Sequence, residues 1–401
     1  MSNRISTGMM FNQSVTAMLG KQSKMAHLQQ QLSTGQKLVT AQDDPVAAGT
    51  AVGLDRALAA LEQFGKNANN VQNRLGQQEN TLQQAGELMT RVNDLSIQAN
   101  NGTLSSDDRR AIATELVAIN SSLLSLANST DGSGRYLFGG AADDSAPFAR
   151  INGQVVYSGD QTQRQVQIAP GSLVSDAIPG SEIFMRIRTG DGVVDAQAAS
   201  GNTGTGLLLD FGRSATSGNW DGGSYTVQFT AADAYTVVDA AGSEVASGSY
   251  ASGEDIAFGG VRMRIQGQPA IGDSFAIGPS ANQDVFSTID GLVAALNTDV
   301  VGSTGQAALQ NDLQAAMRNV GQAAARMIDA RAAGGAQLSA IDNATELRAA
   351  HEVTLKTTLS SIRDLDYAQA IGQYQLEQAA LQAAQTIFTQ MQGMSLFNKL
   401  G

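Results

Sequence analysis

The chain of 401 residues, 42% of them hydrophobic, is long enough for two or three domains with packed cores. Its 25 basic and 37 acidic side chains give a net charge of −12, which opposes binding to nucleic acid or to anionic lipid, and no apolar run approaches the ~20 residues that span a bilayer. The absence of cysteine excludes disulfides, thiolate nucleophiles and sulfur-ligated metal ions.

The two ends of the chain differ in composition from its middle. Residues 1 to about 130 and about 285 to 401 are rich in Ala, Gln, Asn and Leu and place apolar residues at helical spacing. The segment between Asp131 and Asp290 holds 25 of the 43 glycines, five of the six prolines and the only tryptophan, Trp220. Helices with thin apolar seams bury little surface alone, so we expect the two ends to pair around an insertion.

The predicted fold class is therefore α+β. We expect an elongated rod in which helices from both ends form a coiled coil and a helical bundle, with a mostly antiparallel β-domain inserted between them. Three domains are predicted. Residues 1–45 and 355–401 form a terminal coiled-coil assembly domain, residues 46–145 and 285–354 form a helical bundle core, and residues 146–284 form a β-rich outer domain.

The first predicted helix carries a heptad seam that polar residues interrupt. Its members step by four and three residues: Phe11, Val15, Met18, Gln22, Met25, Gln29 and Leu32. Glutamine in the seam weakens a coiled coil, and a helix of this kind is marginal in water by itself. We expect this segment to be loose in the free monomer and to gain order from neighbouring chains.

Asp43, Asp44 and Pro45 mark the start of the next helix. A carboxylate there caps free backbone amides, and proline is tolerated in the first helical turn. Paired carboxylates for acid–base or metal chemistry are the alternative interpretation. The Ala-rich sequence that follows favours the structural role.

Two stronger helical patterns follow. The first has leucines at 54, 58, 61, 75, 82, 88 and 95 and stops at Asn100, Asn101 and Gly102. Ser105 with Asp108 three residues later predicts a capping box for the second. The seam of that second helix is Ile112, Leu116, Ile119, Leu123 and Leu126.

A segment from the carboxy-terminal third supplies a partner for these helices. Its apolar positions are Leu309, Leu313, Met317, Val320, Ala324 and Met327. The three or four helices together predict an antiparallel bundle as the core.

Short strands are predicted in the middle of the chain. Tyr225, Val227 and Phe229 alternate with polar residues, and residues 261–265 do the same. Further candidates are residues 164–168, 183–187, 235–238 and 274–277, each short enough for a hairpin-rich sandwich or barrel.

The last predicted helix repeats the interrupted seam of the first. Its members are Leu355, Leu359, Ile362, Asp366, Gln369, Gln373, Leu376, Ala380, Ala383, Ile387 and Met394. With small or polar residues at so many positions, this segment is also expected to be loose in the monomer. The apolar members of the two terminal seams are the predicted assembly interface.

No catalytic, cofactor or metal site is predicted, and the chain is not expected to be an enzyme. His351 and Glu352 begin a zinc-protease pattern, but Leu355 stands where its second histidine belongs. Gly204 and Gly206 lack the third glycine of a dinucleotide loop. His27 lies beside the first seam, where packing explains it.

Several of these residues resemble signatures of the flagellin superfamily. Leu-Ser-Thr-Gly at 32–35, with Lys37, Val39 and the Asp43-Asp44-Pro45 run, resembles its amino-terminal signature. Residues 91–103, Arg-Val-Asn-Asp-Leu-Ser-Ile-Gln-Ala-Asn-Asn-Gly-Thr, are similar to a helix and turn of the same family. In flagellins an innate immune receptor reads that helix, but Asn93 and Asp94 depart from the receptor motif.

Two further features resemble the hook-associated members of that family. Tyr136, Leu137, Phe138 and Gly139 match their Tyr-Leu-Phe-Gly run, where flagellins tend to have Phe-Asn-Gly. Residues 384–401 are similar to the hook-associated tail and lack the flagellin ending in leucines and arginine. The middle, residues 225–275, also resembles a β-module of hook-associated proteins.

The resemblance implies a junction subunit between the flagellar hook and filament. Such a subunit is exported unfolded by the flagellar type III apparatus, without a cleaved signal peptide, and assembles outside the cell. The implied partners are further copies of the chain, the neighbouring hook-associated protein, flagellin, and an export chaperone on the carboxy-terminal segment.

Two other functions remain open from the sequence. One is a filament flagellin of an unusual kind. The other is a fibre subunit whose β-domain binds or hydrolyses carbohydrate. Hydrolysis needs two placed carboxylates in a cleft. The available carboxylates are Asp233, Asp239, Glu244, Glu254 and Asp255, for which turn and surface positions give the simpler explanation.

Overall fold

A computed structural model of the chain describes residues 7–102 and 104–400, and the side chains of residues 9–102 and 104–391. The chain divides into two compact units. Unit 1 comprises the residues up to Lys66 and those from Ala344 onward, and unit 2 runs from Asn67 to Asn343.

In unit 1, helix α1 (Thr7–Thr34) packs beside helix α6 (Tyr367–Leu400). The start of α2 (Pro45–Ala99) and the end of α5 (Gly302–Arg363) complete the unit. An ion pair between Arg363 and Asp55, with nitrogen and oxygen 3.5 Å apart, links those two helices. The predicted pairing of the two chain ends is confirmed.

Unit 2 contains a helical core built from four helices. These are α2, α3 (Ser106–Ala127), α4 (Val285–Leu296) and α5. Each buries one apolar stripe at helical spacing, because residues three and four apart share a helix face. The shared cluster includes Leu82, Met89, Val92, Leu95, Ile112, Leu116, Ile119, Leu123, Phe286, Ile289, Leu292, Leu309, Leu313, Val320 and Met327.

The predicted helix cap of α3 is present in this core, and α4 has a cap that was not predicted. Ser105 caps α3 by accepting from the Asp108 amide, and the Asp108 carboxylate accepts from the Ser105 amide in return. Helix α4, which the seam analysis did not single out, has Asp284 as its cap, with the Ser287 amide 2.7 Å from the Asp284 carboxylate.

The strands between α3 and α4 are all antiparallel to their partners. They are β1 (Phe148–Ile151), β2 (Gln154–Tyr157), β3 (Gln165–Ala169), β4 (Ser172–Ser175), β5 (Ile187–Arg188), β6 (Val194–Ala198), β7 (Leu207–Arg213), β8 (Tyr225–Ala231), β9 (Ala234–Asp239), β10 (Glu244–Ser249), β11 (Asp255–Phe258), β12 (Val261–Gln266), β13 (Ser274–Pro279) and β14 (Asn282–Gln283). The predicted α+β class with an antiparallel insertion is confirmed.

Strands β6 to β13 form a module with its own core, here called the β-module (residues 194–279). Its strands make a five-stranded sheet in the order β10-β9-β8-β13-β6 and a three-stranded sheet in the order β11-β12-β7. Val227, Phe229, Met263 and Phe275 are among its buried residues. The hairpins β1–β2 and β3–β4 precede the module, and Phe148 and Val155 of the first hairpin pack in the helical core.

Most of the predicted strands are confirmed, at β3, β8, β9, β12 and β13. The strand predicted at residues 183–187 is wrong. One π-helical turn, Ser181–Met185, occupies most of that range, and only Ile187 belongs to a strand. Ile183 and Phe184 are neighbours in sequence and both fully buried, which an alternating strand does not allow. Phe184 packs edge-on against Phe138 and Phe148.

Candidate assembly interface

Helices α1 and α6 form a loosely packed pair. Phe11 and Phe388 meet with ring centroids 5.1 Å apart, and Lys21 forms an ion pair of 2.8 Å with Glu377. Among the described side chains of α1, residues 9–34, none is fully buried, and among residues 367–391 of α6 only Ala370 is. A two-helix contact of this kind gains little from apolar burial.

The predicted α1 residues face this contact. Val15, Met18, Met25 and Leu32 are half-buried, whereas Phe11 remains 44% exposed. The two seam glutamines, Gln22 and Gln29, are exposed, and Lys21 and Leu28 take their places on the half-buried face.

Within the chain, the covered stripe of the last two helices follows the predicted seam up to Ile362 and is displaced from most of its members beyond that residue, although Ala380 is half-buried. Leu355 and Ile362 are half-buried and Leu359 is buried. Leu376 and Ile387, in contrast, are 72% and 57% exposed. The Met394 side chain lies outside the described residues.

The displacement has a simple geometric cause. Helix α5 ends at Arg363 and α6 begins at Tyr367, so three residues separate the helices and the heptad count does not carry across. The residues that contact α1 are Glu377 and Phe388, each one position after a predicted member. One position turns a side chain by about 100° around the helix. The half-buried stripe of α6 also includes Tyr374, Leu381 and Ala384, which were not among the predicted members.

Leu376 and Ile387 therefore lie on a second apolar face of α6, which the described chain leaves largely exposed. Leu376 also lines an open groove of about 680 Å³ between α1 and α6, together with Lys24, His27 and Leu28. Leu19 of α1 is 60% exposed. The terminal pair thus presents apolar side chains outward as well as inward.

The segment that follows α1 is hydrogen-bonded to the segment between α5 and α6. Gly35 ends α1 with φ +70°, and Gln36 forms an antiparallel bridge with Asp364. The Lys37 amide donates to the Arg363 carbonyl at 2.7 Å, and the Leu365 amide donates to the Gly35 carbonyl at 3.0 Å. A side chain at residue 35 would meet the Tyr367 hydroxyl at 2.8 Å. These bonds fix where α6 starts.

Asp43, Asp44 and Pro45 have the structural role that the sequence predicted. Helix α2 begins at Pro45, and the Asp44 carboxylate accepts from the Val46 and Ala47 amides. The Asp43 carboxylate accepts from the Val39 and Thr40 amides at 2.9 and 2.8 Å. Hydrogen bonding from Thr40, above all from its amide, lowers the pKa of Asp43, with the nearby His27 ring a smaller cause.

The Tyr-Leu-Phe-Gly motif lies in unit 2, in the core. Leu137 and Phe138 are buried, and the Leu137 carbonyl accepts from the Gln78 amide group of α2 at 2.8 Å. The Tyr136 carbonyl accepts from Arg74 at 2.9 Å. Gly139 passes so close to the backbone of Ala142 that a Cβ atom would lie 2.6 Å from the Ala142 oxygen. The motif packs the turn after α3 against α2.

Substitution of Gly140 by alanine is expected to destabilise unit 2 strongly. Gly140 has φ +66°, and a Cβ atom there would lie 2.0 Å from the Asp160 carbonyl oxygen. Gly134→Ala is the matched control, since Gly134 has φ +79° but open space around it, so it carries only the left-handed backbone cost of about 1–2 kcal/mol. Urea unfolding should rank Gly140→Ala well below Gly134→Ala in stability; equal values would contradict the close contact.

Other chemistry has little support in the part of the chain that the structure describes. Over residues 7–102 and 104–400 no cluster of three or more His, Cys, Asp or Glu side chains is arranged to hold a metal ion. Across the same residues, no helix combines the length and apolar character that crossing a membrane requires.

Comparison with known proteins points to one family. Residues 5–143 match the bacterial flagellin N-terminal helical region. The chain is 27% identical over 397 residues to flagellar hook-associated protein 3 of Salmonella typhimurium, with 98% of each chain covered.

Solved structures give the same answer. The crystal structure of FlgL from Xanthomonas campestris is 64% identical, with a TM-score of 0.74 over 77% of this chain and 99% of that one. The flagellar junction protein FlgL from Legionella pneumophila is 27% identical, with a TM-score of 0.71 over 79% of this chain and all of that one.

Proposed function

Because the chain belongs to the flagellar hook-associated protein 3 (FlgL) family, within the flagellin superfamily, we propose that it forms the junction between the hook and the filament of a bacterial flagellum. The family is structural and not enzymatic, and its place is outside the cell. The chain acts by assembling with copies of itself through its terminal helices.

The observation that carries this proposal is the poor burial of the terminal pair. Helices α1 and α6 hold each other with only one fully buried side chain among their described residues, while Leu376 and Ile387 stay exposed. Isolated helices gain most of their stability from tertiary packing. Stacked neighbours would supply the missing burial, and the exposed face of α6 is the surface they would cover.

The remaining partners and the domain division follow from the same reasoning. We assign residues 1–45 and 355–401 to assembly, residues 46–145 and 285–354 to the helical body, and residues 146–284 to the outer part. Copies of the chain would form a ring or helical assembly, and the neighbouring hook-associated protein and flagellin would contact its two ends. An export chaperone would hold the carboxy-terminal segment before secretion, because an exposed apolar face risks premature association.

The two alternative functions have less support. Hook-associated relatives match nearly the full chain, which favours a junction subunit over a filament flagellin. In the β-module, the Asp239 carboxylate accepts from the Ala241 and Ser243 amides of a turn, and Asp255 pairs with Arg264 at 2.7 Å. These two carboxylates therefore have structural roles, and the other three candidates for the glycosidase hypothesis, Asp233, Glu244 and Glu254, are exposed at the surface.

Deletion of the gene tests the proposal. Cells without the chain are expected to make hooks and to secrete filament subunits into the medium, because export continues while filament attachment fails. Electron microscopy of hooks and immunoblotting of the medium measure both effects, and a plasmid copy of the gene is the control. Loss of filament protein from the medium would instead indicate that the chain is the filament subunit.

A further inference from the structure

One face of α5 contacts the β-module through polar side chains. Within the described residues, the apolar core of the β-module and the apolar core of the helices are separate clusters, so no buried apolar cluster joins them. The orientation of the β-module on the helices must therefore depend on other contacts. Asn311 and Asn319, both on α5 and both only 8% exposed, make the central ones.

Asn311 completes the edge of strand β7. Its side-chain oxygen accepts from the Leu208 amide at 2.9 Å, and its side-chain nitrogen donates to the Gly206 carbonyl at 2.9 Å. Strand β7 is one of the two edge strands of its three-stranded sheet, and Asn311 satisfies backbone groups there that a further strand would otherwise bond. One carboxamide thus extends the hydrogen bonding of the β-module onto α5.

Asn319 holds the neck through which the chain enters and leaves the β-module. There β5 pairs with β14, and the Ser280 hydroxyl donates to the Thr189 carbonyl at 2.7 Å. The Gly190 amide donates to the side-chain oxygen of Asn319 at 3.0 Å, and the Asn319 nitrogen lies 3.4 Å from the Gln283 side-chain oxygen.

Two further contacts to the β-module come from the same face of α5. The Arg318 guanidinium lies 4.8 Å from the centre of the Phe211 ring of β7, a distance typical of cation–π contacts. The Thr304 hydroxyl donates to the Thr203 carbonyl at 3.0 Å. Asn311 and Asn319 are eight residues apart, which separates the two attachment points by about 12 Å along the helix.

We propose that Asn311 and Asn319 are positioning residues that lock the β-module in one orientation on α5. A neck alone would act as a hinge, because two short strands allow rotation about one point of attachment. Asn311 provides the second point and removes that freedom. The buried carboxamides suit this role, since a lost partner leaves backbone groups unsatisfied and makes intermediate orientations unfavourable.

The experiment measures orientation and not only stability. The chain has no cysteine, so Ser125→Cys on α3 and Ala241→Cys in the turn between β9 and β10, both exposed, introduce two unique spin-label sites. Electron–electron double resonance on the full chain should give one narrow distance distribution. Asn311→Leu together with Asn319→Leu should broaden it and shift its mean. Emission of Trp220, the only tryptophan, reports whether the β-module stays folded.

Asn120→Leu is the matched control. Asn120 is 2% exposed and donates to the Phe286 carbonyl and the Asp290 carboxylate, so it is a buried asparagine of the helical core without contact to the β-module. The distance distribution of the Asn120→Leu variant should stay narrow. Should the double variant unfold, Asn311→Asp, which keeps the acceptor but loses the donor, is measured instead and should broaden the distribution. A narrow distance distribution in a folded variant of Asn311 and Asn319, or equal broadening in the Asn120→Leu control, overturns the proposal.

Discussion

Replacement of Leu376 and Ile387 by glutamate is expected to abolish assembly of the junction while leaving the monomer folded. Both side chains are largely exposed in the single chain, at 72% and 57%, so the substitution removes little intramolecular packing. Substitutions at such positions usually change stability by less than about 0.5 kcal/mol. In the assembled junction the same positions would be covered, and burying an unpaired carboxylate costs several kcal/mol at each interface.

The measurement has two parts. Circular dichroism and urea unfolding of the purified chain should match the wild type, and complementation of the deletion strain should fail to restore filaments. Gln378→Glu with Gln385→Glu is the matched control, because it adds the same charge at exposed polar positions of the same helix. We expect the control to restore filaments. Normal filaments in the strain with Leu376→Glu and Ile387→Glu would show that this face of α6 is not part of the interface.

Local sequence signals predicted much of the helical structure. The capping box at Ser105 and Asp108 and the cap at Asp44 with Pro45 depend only on neighbouring residues, and both are present. The seam of α3 was equally clear, since Ile112, Leu116 and Leu123 lie at strict helical spacing and are buried. Where caps and seam agree, the sequence determines a helix without long-range information.

The candidate interface was harder to predict because a contact between residues distant in sequence decides which side chains of α6 face α1. The break at residues 364–366 is fixed by the bridge between Gln36 and Asp364, which is absent from any local pattern. Asp366, whose carboxylate accepts from the Gln369 amide, was the one local signal of a new helix start. The strand prediction at residues 183–187 failed for the same reason, since the aromatic neighbours of Phe184 come from separate segments of the chain.

Substitution of Arg74 by methionine is expected to destabilise unit 2 by about 3 kcal/mol, because it leaves a buried carboxylate without its buried partner. The Arg74 side chain is 8% exposed and lies 3.3 Å from the Asp143 carboxylate, which is 3% exposed. The other arginines near Asp143, Arg135 and Arg164, are 52% and 42% exposed. Arg74 also donates to the Tyr136 carbonyl, so the substitution removes one of the hydrogen bonds that hold the Tyr-Leu-Phe-Gly motif on α2.

Arg91→Met on the same helix is the control for this prediction. Arg91 forms a shorter ion pair, 2.7 Å to Glu115, but the two side chains are 52% and 43% exposed. Solvent screening leaves such an exposed pair with little net stabilisation, so a ranking by ion-pair distance alone would place the two substitutions in the wrong order. Urea unfolding followed by circular dichroism should separate them. Adding Asp143→Asn to Arg74→Met should recover part of the loss, because it removes the buried carboxylate that has lost its buried partner; additive costs would show that Arg74 acts through packing instead.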